Sequence, residues 1–244
     1  MKRILTTLSQ KWPEYLLEIL VLIIGIYGAF ALDNWNEERK ERRAELELLS
    51  NLKSDFVTRL EEMRDIQRVR TEIIGAIDTL YHIANTKDLD RGDSEFDKLL
   101  MYMYISYRFN DEFSSLDMLF SSGGINNISN KNLKEKLIKW PWYVEEMLEE
   151  QERIEEQLPV LISILAEYIS ANNLYKQFPD EAMTGNLSID TFENDYEGLL
   201  KNRIFIDGLV HKRAYLAFNL KDGKVIIDLC QEIITLIDQE IEKL

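Results

Sequence analysis

Glu18 is the residue whose type and position most directly suggest chemistry, because it is the single charged residue in the apolar run Tyr15 to Leu32. An ionisable side chain within a membrane span is costly and is by default a hypothesis for a functional site. In an oligomer, a ring of such carboxylates would guide ions or protons, or pair with a basic residue of another subunit. The structural interpretation is stronger: Glu18 lies about 9 Å of helical rise past Trp12, close enough to reach the membrane interface.

Small residues make the second candidate site. Gly25 and Ala29 are four residues apart, and Gly28 extends the smooth surface on a neighbouring part of the helix. Such pairs let two membrane helices approach closely, although they also occur by chance in single spans. We therefore expect a homo-oligomer or a subunit of a membrane complex, with these three residues at the interface.

The remaining candidate ligands and nucleophiles do not form a recognisable constellation. No Glu lies three residues before His82 or His211, so the Glu-x-x-His pattern of a di-iron bundle is absent. The acidic loop 88–93 has its glycine at the fifth position, whereas a calcium loop needs it at the sixth, and Leu99 stands where the bidentate Glu belongs. Cys230 lies on an apolar helix seam, where a thiol acts as a small hydrophobe. We expect no metal, no cofactor, no catalytic residue and no enzymatic activity.

The composition excludes several classes of protein. With 44 acidic and 29 basic residues the formal net charge is −15, which argues against nucleic acid as a partner because phosphate binding needs clustered Lys and Arg. One Cys and two His cannot build a disulfide framework or a structural zinc module. A hydrophobic fraction of 45% is sufficient for a folded core.

The apolar run Tyr15 to Leu32 predicts one transmembrane helix, since it reaches the length and hydropathy that a span requires. Trp12 and Tyr15 lie at one end and Trp35 at the other as interfacial anchors. The rise from Trp12 to Trp35 is about 34 Å, which matches a hydrocarbon layer with its aromatic belts. We expect a short tail over residues 1–14, the span over 15–32 and a helical-bundle domain over 33–244.

A cleaved signal peptide is the alternative for this segment, because Lys2, Arg3 and Lys11 precede the apolar run and Ala29 and Ala31 have the spacing of a cleavage site. The span is favoured because the charged residue interrupts the apolar region and the region is long for a signal peptide. Three basic residues before the run and four after it do not decide the orientation, and a long acidic domain can be translocated regardless of charge.

The sequence around the span resembles a known family. The matching residues are Glu18-Ile19, Ile24-Gly25-Ile26, Ala29 and Asn34-Trp35-Asn36-Glu37, continuing to Arg43, with a second block at Leu119 to Gly123, Ile128, Asn130, Leu133 and Leu137. They are similar to an uncharacterised family of Gram-negative bacterial membrane proteins, a domain of unknown function. The resemblance implies a single-pass architecture with an extracytoplasmic helical domain, and it supplies no activity and no catalytic residues.

One long helix is predicted after the apolar run, since residues 33–74 contain no Pro or Gly. Apolar residues then recur in steps of three or four, with a mean of about 3.4, near the 3.5 of a left-handed coiled coil. The stripe consists of Leu49, Leu52, Phe56, Leu60, Met63, Ile66, Val69, Ile73, Ile77 and Leu80. The span is predicted to continue into this helix, because residues 33–44 are good helix formers.

Shorter helices are predicted in the middle of the chain. A polar loop over 85–93 precedes a helix at about 94–109, and another short helix follows at about 114–120. Ser129 or Asn130 can cap the next helix.

Two prolines punctuate the following stretch. Pro141 should kink its helix, and Pro159 should start, or kink into, a further helix that ends near Asn173. Residues 178–190 are the most loop-like part of the sequence.

The C-terminal segment has the clearest heptad period and predicts a long helix to the end of the chain. Leu209, Leu216, Gly223, Cys230, Ile237 and Leu244 fall seven apart, and Leu220, Ile227, Ile234 and Ile241 are assigned to the second seam.

Together these patterns predict an all-α fold: one N-terminal transmembrane helix that continues into an antiparallel bundle of long and short helices with coiled-coil-like packing. We expect a bacterial inner-membrane protein with a periplasmic bundle that acts through protein contacts, as a scaffold, an accessory subunit or a sensor-like module. Its expected partners are the lipid bilayer and other protein chains. The alternative is a homo-oligomeric channel with Glu18 near the pore; an enzyme assembled from distant helices is a third possibility.

Overall fold

The computed structural model describes residues 2–110, 112–126, 128, 130–177 and 192–243, without the side chains of residues 2–11 and 13–15. Within these ranges the chain is helical and contains no strand. The helices are α1 (Lys2–Thr86), α2 (Asp93–Met101), α3 (Ser114–Ser121), a 3₁₀ turn (Gly124–Asn126), α4 (Lys131–Tyr168), α5 (Ala171–Tyr175), α6 (Tyr196–Lys201) and α7 (Arg203–Ile241). The predicted all-α fold is confirmed.

Helix α1 runs without a break through the predicted tail, the apolar run and the predicted coiled-coil stripe. Its 85 residues correspond to a rod of about 130 Å. It ends where Lys87 takes a positive φ of 55° and donates its backbone N–H to the carbonyl of Ile83 at 2.8 Å, a left-handed C-terminal cap.

The bundle consists of four segments, and each runs antiparallel to the segment before it in the chain. Helix α7 runs antiparallel to α1, since Lys53 pairs with Asp238 at 2.6 Å and Asp78 pairs with Arg213 at 2.5 Å. Helix α4 runs parallel to α1, because its side chains meet successive α1 residues in ascending order. We call the end of the bundle around Leu49 the base, and the end around α2, α5 and α6 the tip.

The second segment descends from tip to base as α2, an extended connector over residues 102–113, and α3. The predicted helix at 94–109 is wrong beyond Met101. The chain leaves the helical conformation there, and Met103, Phe109 and Phe113 enter the core. A longer helix would lose these tertiary contacts. In the core, Phe113 packs on Trp140 with ring centroids 5.2 Å apart.

Side chains of α1 hold this second segment by its backbone. Asp55 accepts from the backbone N–H and the hydroxyl of Ser115, at 3.2 and 2.5 Å, and so caps the first turn of α3. One heptad further, Glu62 accepts from the backbone N–H of Asn110 at 2.9 Å. The connector is therefore fixed by carboxylates that the helix stripe alone does not reveal.

Two hydrophobic clusters make up the core. The base cluster includes Leu49 to Ile66 of α1, residues 133–148 of α4 and residues 226–237 of α7. The tip cluster includes residues 73–83 of α1, 154–165 of α4 and 205–216 of α7. Between them each long helix contributes polar side chains instead of apolar ones.

The first seam of α7 is confirmed at Leu209, Leu216, Gly223, Cys230 and Ile237, which are all buried; Leu244 lies outside the described residues. The second seam is wrong. It consists of Lys212, Asn219, Ile226, Ile233 and Glu240, whereas Leu220, Ile227, Ile234 and Ile241 are only partly buried beside it. The predicted assignment followed apolar residues, whereas three of the true seam positions are polar.

The middle helices follow the prediction in part. Asn130 caps α4, accepting from the backbone N–H of Asn132 and Leu133, while Ser129 lies outside the described residues. Helix α4 continues through Pro141 and Pro159 to Tyr168, so no separate helix begins at Pro159. The predicted loop at 178–190 lies outside the described residues.

Candidate functional site

The apolar part of α1, residues 16–32, packs against no other described part of the chain. Its large hydrophobic side chains are between 49% and 74% exposed, and an 18-residue window reaches a mean hydropathy of 2.1 with none of it buried. Among the described residues this is the one helix long and apolar enough to cross a membrane, judged by length and composition. Trp12 and Trp35 are exposed at 58% and 59%; the side chain of Tyr15 lies outside the described part.

The candidate interface residues share one face of this helix. Glu18, Gly25 and Ala29 are spaced by seven and four residues, which places them in line along an α-helix, with Gly28 beside them. A Cβ built on Gly25 or Gly28 would meet nothing within 4 Å. The structure therefore aligns these residues, and it does not bring them into contact with the bundle.

An exposed stalk connects the apolar part to the bundle. Residues 33–43 are exposed on all sides of α1, and core packing begins at Leu49. Within the stalk the guanidinium of Arg39 lies 5.6 Å from the Trp35 ring centroid. Because no loop interrupts this stretch, the apolar part and the bundle share one continuous backbone hydrogen-bond ladder.

A buried polar layer, which sequence reasoning missed, separates the two hydrophobic clusters. Arg70 is 3% exposed and Gln151 is 2% exposed, and the Arg70 guanidinium donates to the Gln151 side chain at 3.0 Å. It also donates to the backbone carbonyl of Asn219 at 3.4 Å. The layer thus joins α1, α4 and α7 at one level through a single cation.

Neighbouring groups complete the layer. Gln67 donates its amide N–H to the carbonyl of Leu220 at 2.7 Å, and this requires Gly223, where a Cβ would approach the Gln67 amide to 2.4 Å. A small cavity of about 10 Å³, lined by Arg70, Gln151 and Tyr107 among others, adjoins the layer, enough space for about one water. Burial lowers the pKa of Arg70 to about 10, while the charge of Asp222 opposes that shift.

Lys212 is a second buried cation. It is 1% exposed, and its ammonium donates to the backbone carbonyls of Tyr102, Met103 and Ile105 at 3.3, 2.9 and 3.4 Å. These carbonyls follow the C-terminus of α2, where a cation satisfies acceptors that the helix leaves unpaired. Burial lowers the pKa of Lys212 to about 8.

The tip carries a third polar cluster. Tyr196 donates to the Asp97 carboxylate at 2.8 Å, and Asn194 donates to the Tyr196 hydroxyl at 2.8 Å. The side-chain amide oxygen of Asn194 in turn accepts from the backbone N–H of Ser170 at 2.9 Å. Burial raises the pKa of Asp97. These contacts join α2, α5 and α6, so the role of this cluster is structural.

The other sequence candidates are isolated from one another. His82 and His211 are both exposed, and Cys230 is buried, which raises its pKa to about 12. No group of three or more His, Cys, Asp or Glu that could hold a metal ion occurs in the described part of the chain, loop 88–93 included. A thiol with so high a pKa is a poor nucleophile at neutral pH.

The pairing of Arg70 with Gln151 predicts that the effects of substituting these two residues on the free energy of unfolding are not additive. Gln151→Leu should destabilise the protein by about 2–3 kcal/mol, because it leaves the buried Arg70 cation without its best acceptor. The double variant Arg70→Met/Gln151→Leu should recover most of that loss, since both polar partners are then replaced by apolar groups. Urea unfolding of the detergent-solubilised protein followed by circular dichroism measures both; equal losses in the single and double variants would contradict the pairing.

Lys212 makes stability depend on pH in the alkaline range. Its folded pKa of about 8 lies below the ordinary value of 10.5 for a lysine, so between these values the unfolded chain binds the extra proton and stability rises with pH. The unfolding free energy of the wild type should gain up to about 3 kcal/mol relative to Lys212→Met from pH 7.5 to 10.5. A difference between the two proteins that stays flat over this range would contradict the assignment.

Comparison with known proteins gives a family and no activity. No curated protein and no solved structure matches the chain. Residues 18–178 match a family described as being of unknown function, DUF6090. The match begins at Glu18, covers the apolar part of α1, the stalk, the connector and α4, and extends over about two thirds of the sequence. The chain belongs to the DUF6090 family.

Proposed function

We propose that the protein is a single-pass inner-membrane protein, anchored by residues 15–32, whose bundle stands in the periplasm and acts through protein contacts as a scaffold, an accessory subunit or a sensor-like module. The observation that carries the proposal is the exposure of every large hydrophobic side chain from Leu16 to Leu32. Burying each such side chain is worth about 1.5–3 kcal/mol. Lipid, or another apolar helix, supplies this burial where the chain itself does not.

The geometry of α1 supports a bundle that projects away from the membrane. The end of α1 at Thr86 lies about 80 Å of helical rise beyond Leu32. The base, with the C-terminal end of α7, faces the membrane, and the tip with α2, α5 and α6 is remote from it. Such a shape suits a protein that presents contact surfaces at a fixed height.

The unbroken stalk supports a sensor-like role in particular. Residues 33–43 are helical and free of packing, so a rotation or displacement of the span is transmitted to the core stripe that begins at Leu49. A flexible linker would dissipate the same movement. The proposed signal is mechanical, and it enters the bundle along α1.

The aligned face of the span supports self-association. Gly25 and Gly28 have open space where a Cβ would stand, so a second helix can approach the backbone there. The channel alternative uses the same face, since Glu18 precedes Gly25 by one heptad and symmetric packing through Gly25 would gather the carboxylates. In that alternative Glu18→Gln changes ion conductance of the purified protein in planar bilayers.

A size-matched pair of variants tests the interface. Gly25→Ile should shift the protein from oligomer to monomer, because the added side chain fills the surface on which a second helix packs. Ala31→Ile adds similar bulk on a different face and should leave the oligomer intact. Native mass spectrometry of the full-length protein from its own membranes reports subunit number and co-purifying chains together. Identical mass spectra for the two variants would contradict the proposed interface.

A labelling experiment tests the anchor and its orientation. In a Cys230→Ala background the chain has no other thiol, so Glu61→Cys places a single cysteine at an exposed position of α1. A membrane-impermeant maleimide should label it in cells with an opened outer membrane, and alkaline carbonate should leave the protein in the membrane pellet. Labelling that requires lysis of the inner membrane would reverse the orientation, and release by carbonate would remove the anchor.

A further inference from the structure

A groove lies between the second segment and α4, close to the middle of the bundle. Its volume is about 500 Å³, and its floor includes Phe113, Trp140 and Leu148. The groove exists because the second segment is an extended connector followed by the short α3. A helix is about 10 Å across, and the thinner connector leaves part of that width unfilled beside α4.

The rim of the groove is strongly acidic. Asp117, Glu145, Glu149 and Glu152 line it, against the single cation Arg108. The guanidinium of Arg108 lies 3.7 Å from the carboxylate of Glu155, so its charge is partly compensated within the chain. The rim therefore presents excess negative charge to whatever approaches.

Exposed apolar side chains continue the groove along α4. Ile138 and Trp142 are 53% and 57% exposed, and their spacing places them on the same outer face of α4 as Glu145 and Glu149. A surface on which apolar side chains lead along α4 into a row of carboxylates is complementary to an amphipathic helix that carries Lys or Arg.

The basic stretch next to the apolar part of α1 in a second copy does not lie at the right height. Its basic stretch Arg39–Arg43 lies about 10–17 Å beyond Leu32 along α1. The groove lies level with Phe56 to Glu62, about 36–45 Å beyond Leu32. Copies anchored in one membrane with the same orientation keep these two regions apart.

We propose that this groove binds a basic amphipathic helix of a different protein, which lies along α4 with its apolar side on Ile138 and Trp142 and its cations on Glu145 and Glu149. The proposal rests on the proposed function in one respect: it names the chemistry of the partner through which the bundle acts.

A designed peptide probes the surface directly. The probe is an amphipathic helix of about 18 Leu and Lys residues, roughly 27 Å long, with one benzoylphenylalanine; a shuffled peptide of equal composition is its control. Affinity is measured with the full-length protein in lipid nanodiscs. Glu145→Lys/Glu149→Lys should weaken binding about tenfold or more. Glu47→Lys/Glu61→Lys makes the same charge change on the exposed side of α1 and should alter affinity by about twofold at most. Photo-crosslinks should fall on the connector, α3 and α4.

Three results would overturn the proposal: equal weakening by the two charge-reversed variants, tight binding of the shuffled peptide, or crosslinks outside the connector, α3 and α4. Circular dichroism confirms that the variants, which change only exposed side chains, remain folded. In cells, benzoylphenylalanine in place of Glu149 should crosslink to another protein, and this adduct should disappear with Glu145→Lys. Adducts between identical chains alone would also overturn the proposal. Failure of these tests with anchoring and self-association intact leaves the proposed function standing.

Discussion

The continuity of α1 is the constraint on which the rest of the structure depends. One backbone hydrogen-bond ladder runs from the apolar residues through the stalk and into the core. The other long helices then take their register from α1: α7 through Lys53–Asp238 and Arg213–Asp78, and α4 through Arg70 and Gln151. A break in the stalk would leave the bundle folded but would uncouple it from the apolar part of α1.

Charged and polar groups, some of them buried, determine where the apolar contacts occur. Asp55 and Glu62 of α1 hold backbone amides of the second segment, and Lys212 of α7 holds its carbonyls. These groups bind backbone atoms, so they fix the path of the connector irrespective of its side chains. Arg70 performs the corresponding task between the two clusters, because a slip of one helix by a turn would leave its charge buried without acceptors.

The sequence was sufficient to predict the structure where a periodic apolar pattern and a local cap determine it. The stripe of α1, the Asn130 cap and the Leu209 to Ile237 seam follow from such signals. The sequence was insufficient where contacts between residues far apart in the chain determine the structure. Residues 102–109 favour helix locally, and only their contacts with Lys212 and the core, over 100 residues away, end the helix at Met101. The polar seam positions of α7 had no signal, since Asn219 resembles a surface residue until its neighbours are known. Glu18, Gly25 and Ala29 stay predictions, since they are exposed and no described part of the bundle packs against them.

The antiparallel pairing of α7 with α1 has a consequence for biosynthesis. Gln67 and its acceptor on Leu220 are separated by 153 residues, and the core face of α1 meets its main partner only when the last segment has been made. At about 5–20 residues per second of synthesis, that face stays without its partner for many seconds after the apolar part of α1 has left the ribosome. High sequence separation of this kind also slows folding. The apolar stripe of α1 is thus exposed for a time in every newly made chain, as a surface that holding chaperones can bind.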